Sequence, residues 1–127
     1  MHLMLNHELP QKFENWIAKR TGSCDPIRLK YLITQKTSQL LIAPTGSGKT
    51  LSGFLPTLID LDSSKFSGLH TIYVSPLKAL ASDIKRNLMI PIEEIGLNIR
   101  VEDRTGDTKA AIKRRQRVDP PNILLTT

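Results

Sequence analysis

The sequence predicts an α/β protein with a mainly parallel sheet and helices on both faces, and three observations carry that prediction. Strand and helix patterns alternate four times along 127 residues. The first strand pattern, residues 39–43 (QLLIA), is an apolar run without polar alternation, as in a strand covered on both faces. It runs directly into a glycine-rich turn, "PTGSGKT", behind which a helical pattern opens.

The elements follow in order. "PQKFENWIAKR" sets Phe13, Trp16 and Ile17 on one helical face, with Pro10 at a tolerated first-turn position and Gly22 as a stop. Trp16 reads as a packing residue. A second helix follows Pro26 through Ile27, Tyr31, Leu32 and Gln35. After the glycine turn, Leu51, Phe54, Leu55, Leu58 and Ile59 recur at helical spacing, and Pro56 predicts a kink or an early end. "HTIYVS", residues 70–75, is the second strand. "PLKALASDIKRNL" is the helix behind it, with Pro76 in its first turn. Residues 98–103 form the third strand candidate, "TKAAIKRRQRV" a basic helix, and "NILLTT" the fourth strand behind Pro120 and Pro121.

Composition bounds the class. A chain of 127 residues holds one core and is too short for two comfortable domains. Its 39% apolar and 24% charged residues are the balance of a globular protein. A net charge of +6 favours polyanions such as nucleic acid without requiring them. One cysteine, Cys24, excludes an internal disulfide and suits a reducing compartment. No secretory leader and no membrane-length apolar run stand out, which predicts a cytoplasmic chain. His2, His7 and His70 lack metal-ligand spacing.

The chemistry is concentrated in residues 43–50. Gly46, Ser47 and Gly48 let consecutive backbone N–H groups face one concave anion site, and the helix behind adds its positive end. Lys49 supplies a point charge to outer phosphates, and Thr50 offers a hydroxyl to a magnesium ion bridging them. Ala43 stands where the strict phosphate-loop pattern has its first glycine, a small steric change. Ala43, Pro44, Thr45, Gly46, Ser47, Gly48, Lys49 and Thr50 are therefore the candidate ATP-Mg residues, with Lys49 and Thr50 the catalytic pair and Thr50 the metal ligand.

The words "APTGSGKT", "SPLKAL", "RTGDT" and "ILLTT", in this order, resemble superfamily 2 helicases with DExH motifs. More narrowly the chain is similar to the large helicase-related (Lhr-type) family and its ligase-associated DNA repair branch. The likeness extends through "LPQKFENW" and "GLHTIYVSPLKALASDIKRNL". It implies an incomplete RecA-like P-loop NTPase fold of three layers, with residues 1–24 as a lead-in and 25–127 as part of the first helicase domain. It also implies an ATP-dependent DNA helicase, with Pro76, Leu77, Lys78, Ala79, Thr105, Gly106, Asp107, Thr126 and Thr127 lining a nucleic-acid strand. Each of these segments ends a predicted strand, the edge where open α/β sheets bind ligands, so one rim is expected to carry both ATP and DNA. Lysine, hydroxyl and backbone contacts to phosphate would grip a strand with little regard to sequence.

The basic residues Lys109, Lys113, Arg114, Arg115 and Arg117 spread around their helix instead of forming one stripe, so a solvated face competes with a DNA surface as their reading. Where the resembled family reads adenine with a glutamine, Arg28 or a near neighbour falls. No Asp-Glu-x-His motif occurs in the 127 residues, and without its acids most of the hydrolytic machinery is missing. The expectation is a helicase part that works with further segments. The alternative is a nucleotide- or DNA-binding fragment without turnover. A P-loop kinase leaves "SPLKAL" and "RTGDT" unexplained. A sheet ending at its fourth strand is also expected to expose apolar surface.

Overall fold

The computed structural model describes residues 10–21 and 49–127. The expected strand at 39–43, the helix behind Pro26 and the Gly22 stop lie outside the described residues. The chain divides into two compact units, Met1–Pro56 and Thr57–Thr127.

In the first unit, α1 (Gln11–Thr21) buries Phe13, Trp16 and Ile17, the face that the helical spacing selects. Pro10 stands just ahead of it, and its carbonyl accepts from the Phe13 and Glu14 N–H groups. Helix α2 (Lys49–Ser64) begins in this unit at the Lys-Thr pair and runs on into the second. It does not end early at Pro56. The proline removes one backbone donor, yet Phe54, Leu55, Leu58 and Leu61 are all buried, and their i, i+4, i+7 stripe holds the helix to Ser64.

The second unit is a three-stranded parallel sheet, β1 (Thr71–Val74), β2 (Val101–Arg104) and β3 (Ile123–Thr126), in the order β1-β3-β2. The register aligns Val74, Thr126 and Arg104 at the carboxyl ends. Helix α3 (Lys78–Ile95) joins β1 to β2, and α4 (Ala110–Val118) joins β2 to β3. The chain steps across the sheet in one direction through α3 and returns through α4, so right-handed crossovers place the two helices on opposite faces. Side chains agree: Asp103 meets Lys85 of α3, whereas its neighbour Glu102 meets Arg115 and Gln116 of α4.

The core lies on the α3 face. Ala81, Ile84, Leu88, Pro91 and Ile92 form the buried stripe of α3, which packs on β2 and β3, while Ile123 and Leu125 of the central strand are fully buried. On the other face Ile72 and Val74 of β1 remain 55% and 68% exposed. The strand expected as the fourth and last of the sheet, β3, is instead central and paired on both edges, so this exposure falls on β1 and not on a flank beyond the fourth strand.

Most boundaries shift from expectation by a residue or more, and two of the shifts have a visible cause. Pro76 lies ahead of the α3 N-cap rather than in the first turn, because Leu77 is extended and the Ser75 hydroxyl donates to the Leu77 carbonyl at 2.9 Å. β2 starts at Val101 rather than Asn98, since the Arg100 N–H is held by the Asn122 side chain at 2.9 Å ahead of the ladder. Asn122 also donates to the Gly68 carbonyl at 3.1 Å, which ties the connection from α2 to the amino edge of the sheet.

Helix α3 ends on Gly96 at φ 83°, a left-handed conformation that strains any residue with a Cβ, and its N–H caps the Ile92 carbonyl at 3.1 Å. Space around Gly96 is open, so the backbone alone carries the cost of substitution. Gly96→Ala is expected to lower stability by about 1 kcal/mol in urea unfolding. An unchanged midpoint would show that the left-handed cap contributes nothing.

Candidate nucleic-acid interface and phosphate residues

Parallel strands end on one edge, and here two hydrogen bonds staple the three ends together. The Ser75 N–H donates to the Thr126 carbonyl at 2.7 Å, and the Thr126 hydroxyl donates to the Arg104 carbonyl at 2.7 Å. The chain leaves this line as three adjacent segments: residues 76–79 behind β1, 105–108 behind β2 and Thr127 behind β3. All the expected nucleic-acid residues are therefore brought to one rim. Pro76, Leu77, Lys78, Ala79, Gly106, Asp107 and Thr127 are exposed, whereas Thr105 and Thr126 are half-buried.

The segment behind β2 is a tight turn built from its own threonines. The Thr105 N–H donates to the Thr108 hydroxyl at 2.9 Å, the Thr108 N–H returns to the Thr105 carbonyl at 3.2 Å, and the Asp107 N–H reaches the Thr105 hydroxyl at 3.3 Å. Across the rim, Lys78 Nζ donates to Asp107 Oδ2 at 2.8 Å. That hydrogen bond holds the Asp107 carboxyl below the ordinary carboxylate range.

The basic helix is only partly free to meet a ligand. Glu102, whose side chain is 20% exposed, accepts from both Arg115 and Arg100 and from the amide of buried Gln116. These bonds, Arg115's foremost, hold its carboxyl at about 2. Arg115 is thus committed to the sheet, while Arg114 and Arg117 face solvent. Sequence reasoning did not single out Ser75, Thr108 or Glu102. The Thr-x-x-Thr spacing was the available signal for Thr108. Nothing local announces Glu102, whose partners lie on other elements.

Of the phosphate residues, Ala43, Pro44, Thr45, Gly46, Ser47 and Gly48 lie outside the described residues. Lys49 and Thr50 are the first two residues of α2, and Thr50 is exposed. No acidic residue stands in that first turn to compete with an anion at the positive helix end. The arrangement fits phosphate, and a threonine hydroxyl suits a hard cation such as magnesium. These two residues open a helix in the first unit, and the rim belongs to the second.

A parallel α/β sheet carrying its exposed polar segments on the carboxyl edge, in a chain with a helix opening on Lys-Thr, has the make-up of nucleotide-dependent RecA-like proteins. The chain belongs to the DEAD/DEAH box helicase family, whose model matches residues 28–127. It is 41% identical over 107 residues to the Lhr helicase/uracil glycosylase of Escherichia coli K12, covering 69% of this chain and 7% of that protein. It is 42% identical over 103 residues to the ATP-dependent helicase Lhr-Core of Methanocaldococcus jannaschii, covering 69% of this chain and 12% of the relative. The solved structure of Mycobacterium smegmatis helicase Lhr bound to ssDNA and AMP-PNP is similar with TM-score 0.78 at 36% identity, over 92% of this chain and 16% of that one. The structure of the DUF1998 helicase MrfA gives TM-score 0.76 at 28% identity, over 94% and 19% of the two chains. The chain thus spans under a fifth of the length of these relatives. Among the described residues no helix is long and apolar enough to cross a membrane.

Proposed function

We propose that this chain is part of the first RecA-like domain of a cytoplasmic ATP-dependent DNA helicase acting in DNA repair, with residues 1–24 as its lead-in and 25–127 as the domain segment. The observation that carries the reading is the convergence of residues 76–79, 105–107 and 126–127 on one stapled rim, beside membership of a helicase family. Nucleic acid lies along that rim, held by the Lys78 ammonium, the threonine hydroxyls and backbone N–H groups through its phosphates. Residues 43–50 hold ATP: the backbone of the turn cradles the phosphates, Lys49 neutralises the outer ones and Thr50 ligates magnesium. Bound ATP supplies the free energy for movement along the strand. This chain's own residues bind and orient the nucleotide, and further helicase segments complete turnover, since no Asp-Glu-x-His motif occurs in it.

Isothermal calorimetry on the chain with AMP-PNP, with and without magnesium, and with an oligothymidylate tests both halves. Nucleotide binding is expected to require magnesium and to weaken about tenfold in Lys49→Ala, the loss of one charge-assisted contact. Binding of neither ligand would sink the proposal. A Lys49→Ala variant that binds as tightly as the parent would sink the phosphate assignment alone.

A further inference from the structure

Among the nine residues assigned to the strand, Lys78 is the one cation and Asp107 the one anion, and they neutralise each other. They stand 29 positions apart in the chain on different segments of the rim, joined at 2.8 Å, with side chains 55% and 79% exposed. The turn that carries Asp107 does not depend on this bond, because Thr105 and Thr108 close it on their own. The lysine bends over that turn: a Cβ built on Gly106 would lie 4.0 Å from Lys78 Nζ. A carboxylate repels phosphate, so Asp107 is a poor contact for a nucleic-acid backbone. Its position, bonded to the Lys78 ammonium and also within the field of Lys113, suits a different role.

We infer that Asp107 is an internal counter-ion that occupies Lys78 in the free protein and competes with backbone phosphate for it. This rests on the proposed nucleic-acid reading of the rim. An arriving phosphate exchanges partners with the carboxylate: the Lys78 ammonium passes to the phosphate, and Asp107 turns to solvent and gathers a cation. No covalent bond changes and no proton moves. Asp107 is an ordinary carboxylate at neutral pH, and Lys78 only pushes its titration further down, so the competition operates under ordinary conditions. The exchange lowers the net gain from the Lys78 contact and the number of counter-ions it releases, which suits a surface that must let go of a strand as readily as it takes hold.

The sign of one substitution separates this role from simple positioning. Binding of a fluorescein-labelled oligothymidylate to the full chain would be followed by anisotropy across a potassium chloride series. The proteins are the parent, Asp107→Asn, Asp107→Glu, Lys78→Ala and the double variant Lys78→Ala/Asp107→Asn, with circular dichroism verifying their folding. Both side chains are exposed, so the fold should tolerate every change. Asp107→Asn is expected to bind roughly two- to fivefold tighter at low salt, the range of an exposed ion pair, and to steepen the salt dependence by up to about 0.7 in log–log slope. Asp107→Glu should match the parent, and in the Lys78→Ala background the gain should vanish. Equal or weaker binding by Asp107→Asn overturns the counter-ion role, as does a gain that survives loss of Lys78. If Lys78→Ala alone binds like the parent, the rim is not where the strand lies, and the proposed function fails at that point instead.

Discussion

Replacing Leu125 by alanine is expected to destabilise the chain by about 3 kcal/mol, most of what a marginally stable domain has to spare. Leu125 is fully buried in the central strand, opposite Tyr73 on one side and Asp103 on the other, on the face that α3 covers. A strand paired on both edges and packed beneath a helix cannot move to fill the void, so the lost transfer energy and the cavity term add. The comparison is Val74→Ala on β1, whose side chain is 68% exposed and should cost less than about 0.5 kcal/mol. Urea unfolding of both variants checks the contrast. Equal midpoints would mean that the α3 face is not the core.

Acid is expected to weaken the sheet through Glu102. Its folded carboxyl sits at about 2 against an ordinary value of 4.5, because Arg115, Gln116 and Arg100 all stabilise the ionised form. A depressed carboxylate contributes stability that is present in full above the unfolded value and disappears as pH falls toward the folded one. The loss should therefore develop between pH 4.5 and about 2. Removing the charge at neutral pH by Glu102→Gln is expected to cost about 2 kcal/mol, since the guanidinium groups lose their counter-charge and one of the two acceptor oxygens becomes an NH2 donor facing other donors. The same variant should flatten the acid limb by a similar amount, which separates Glu102 from the other carboxylates that titrate there. Parallel limbs for parent and variant in urea unfolding at pH 7, 4 and 3 would exclude Glu102 as the source.

Much of the second unit was legible in the sequence. β1 and β3 are short, mainly apolar runs bounded by proline and polar residues, and α3 has its buried stripe at helical spacing, so local periodicity was enough there; β2, with three charged residues in four, carries a weaker signal. The rim residues were legible because each ends or follows a strand, and parallel strands end together. The errors came where local rules met tertiary contacts. Of the two outcomes expected at Pro56, a kink or an early end, the early end does not occur, because the buried stripe of α2 carries through it. Pro76 suits a first turn by propensity, yet Ser75 is buried at the strand end and holds Leu77 extended.

By itself the sequence determined the parallel α/β class, the Lys-Thr pair opening a helix, and which segments leave the strands at one edge. Only the tertiary structure decided the strand order β1-β3-β2, the joining of Lys78 to Asp107 and the gathering of two arginines and a glutamine on Glu102. The reason is physical: periodicity records the face on which a residue stands, a property of its nearest neighbours in the chain. Which strand lies beside which is settled by the crossovers and the packing of whole faces, and the charges that meet across 13 or 29 residues meet only after that choice is made.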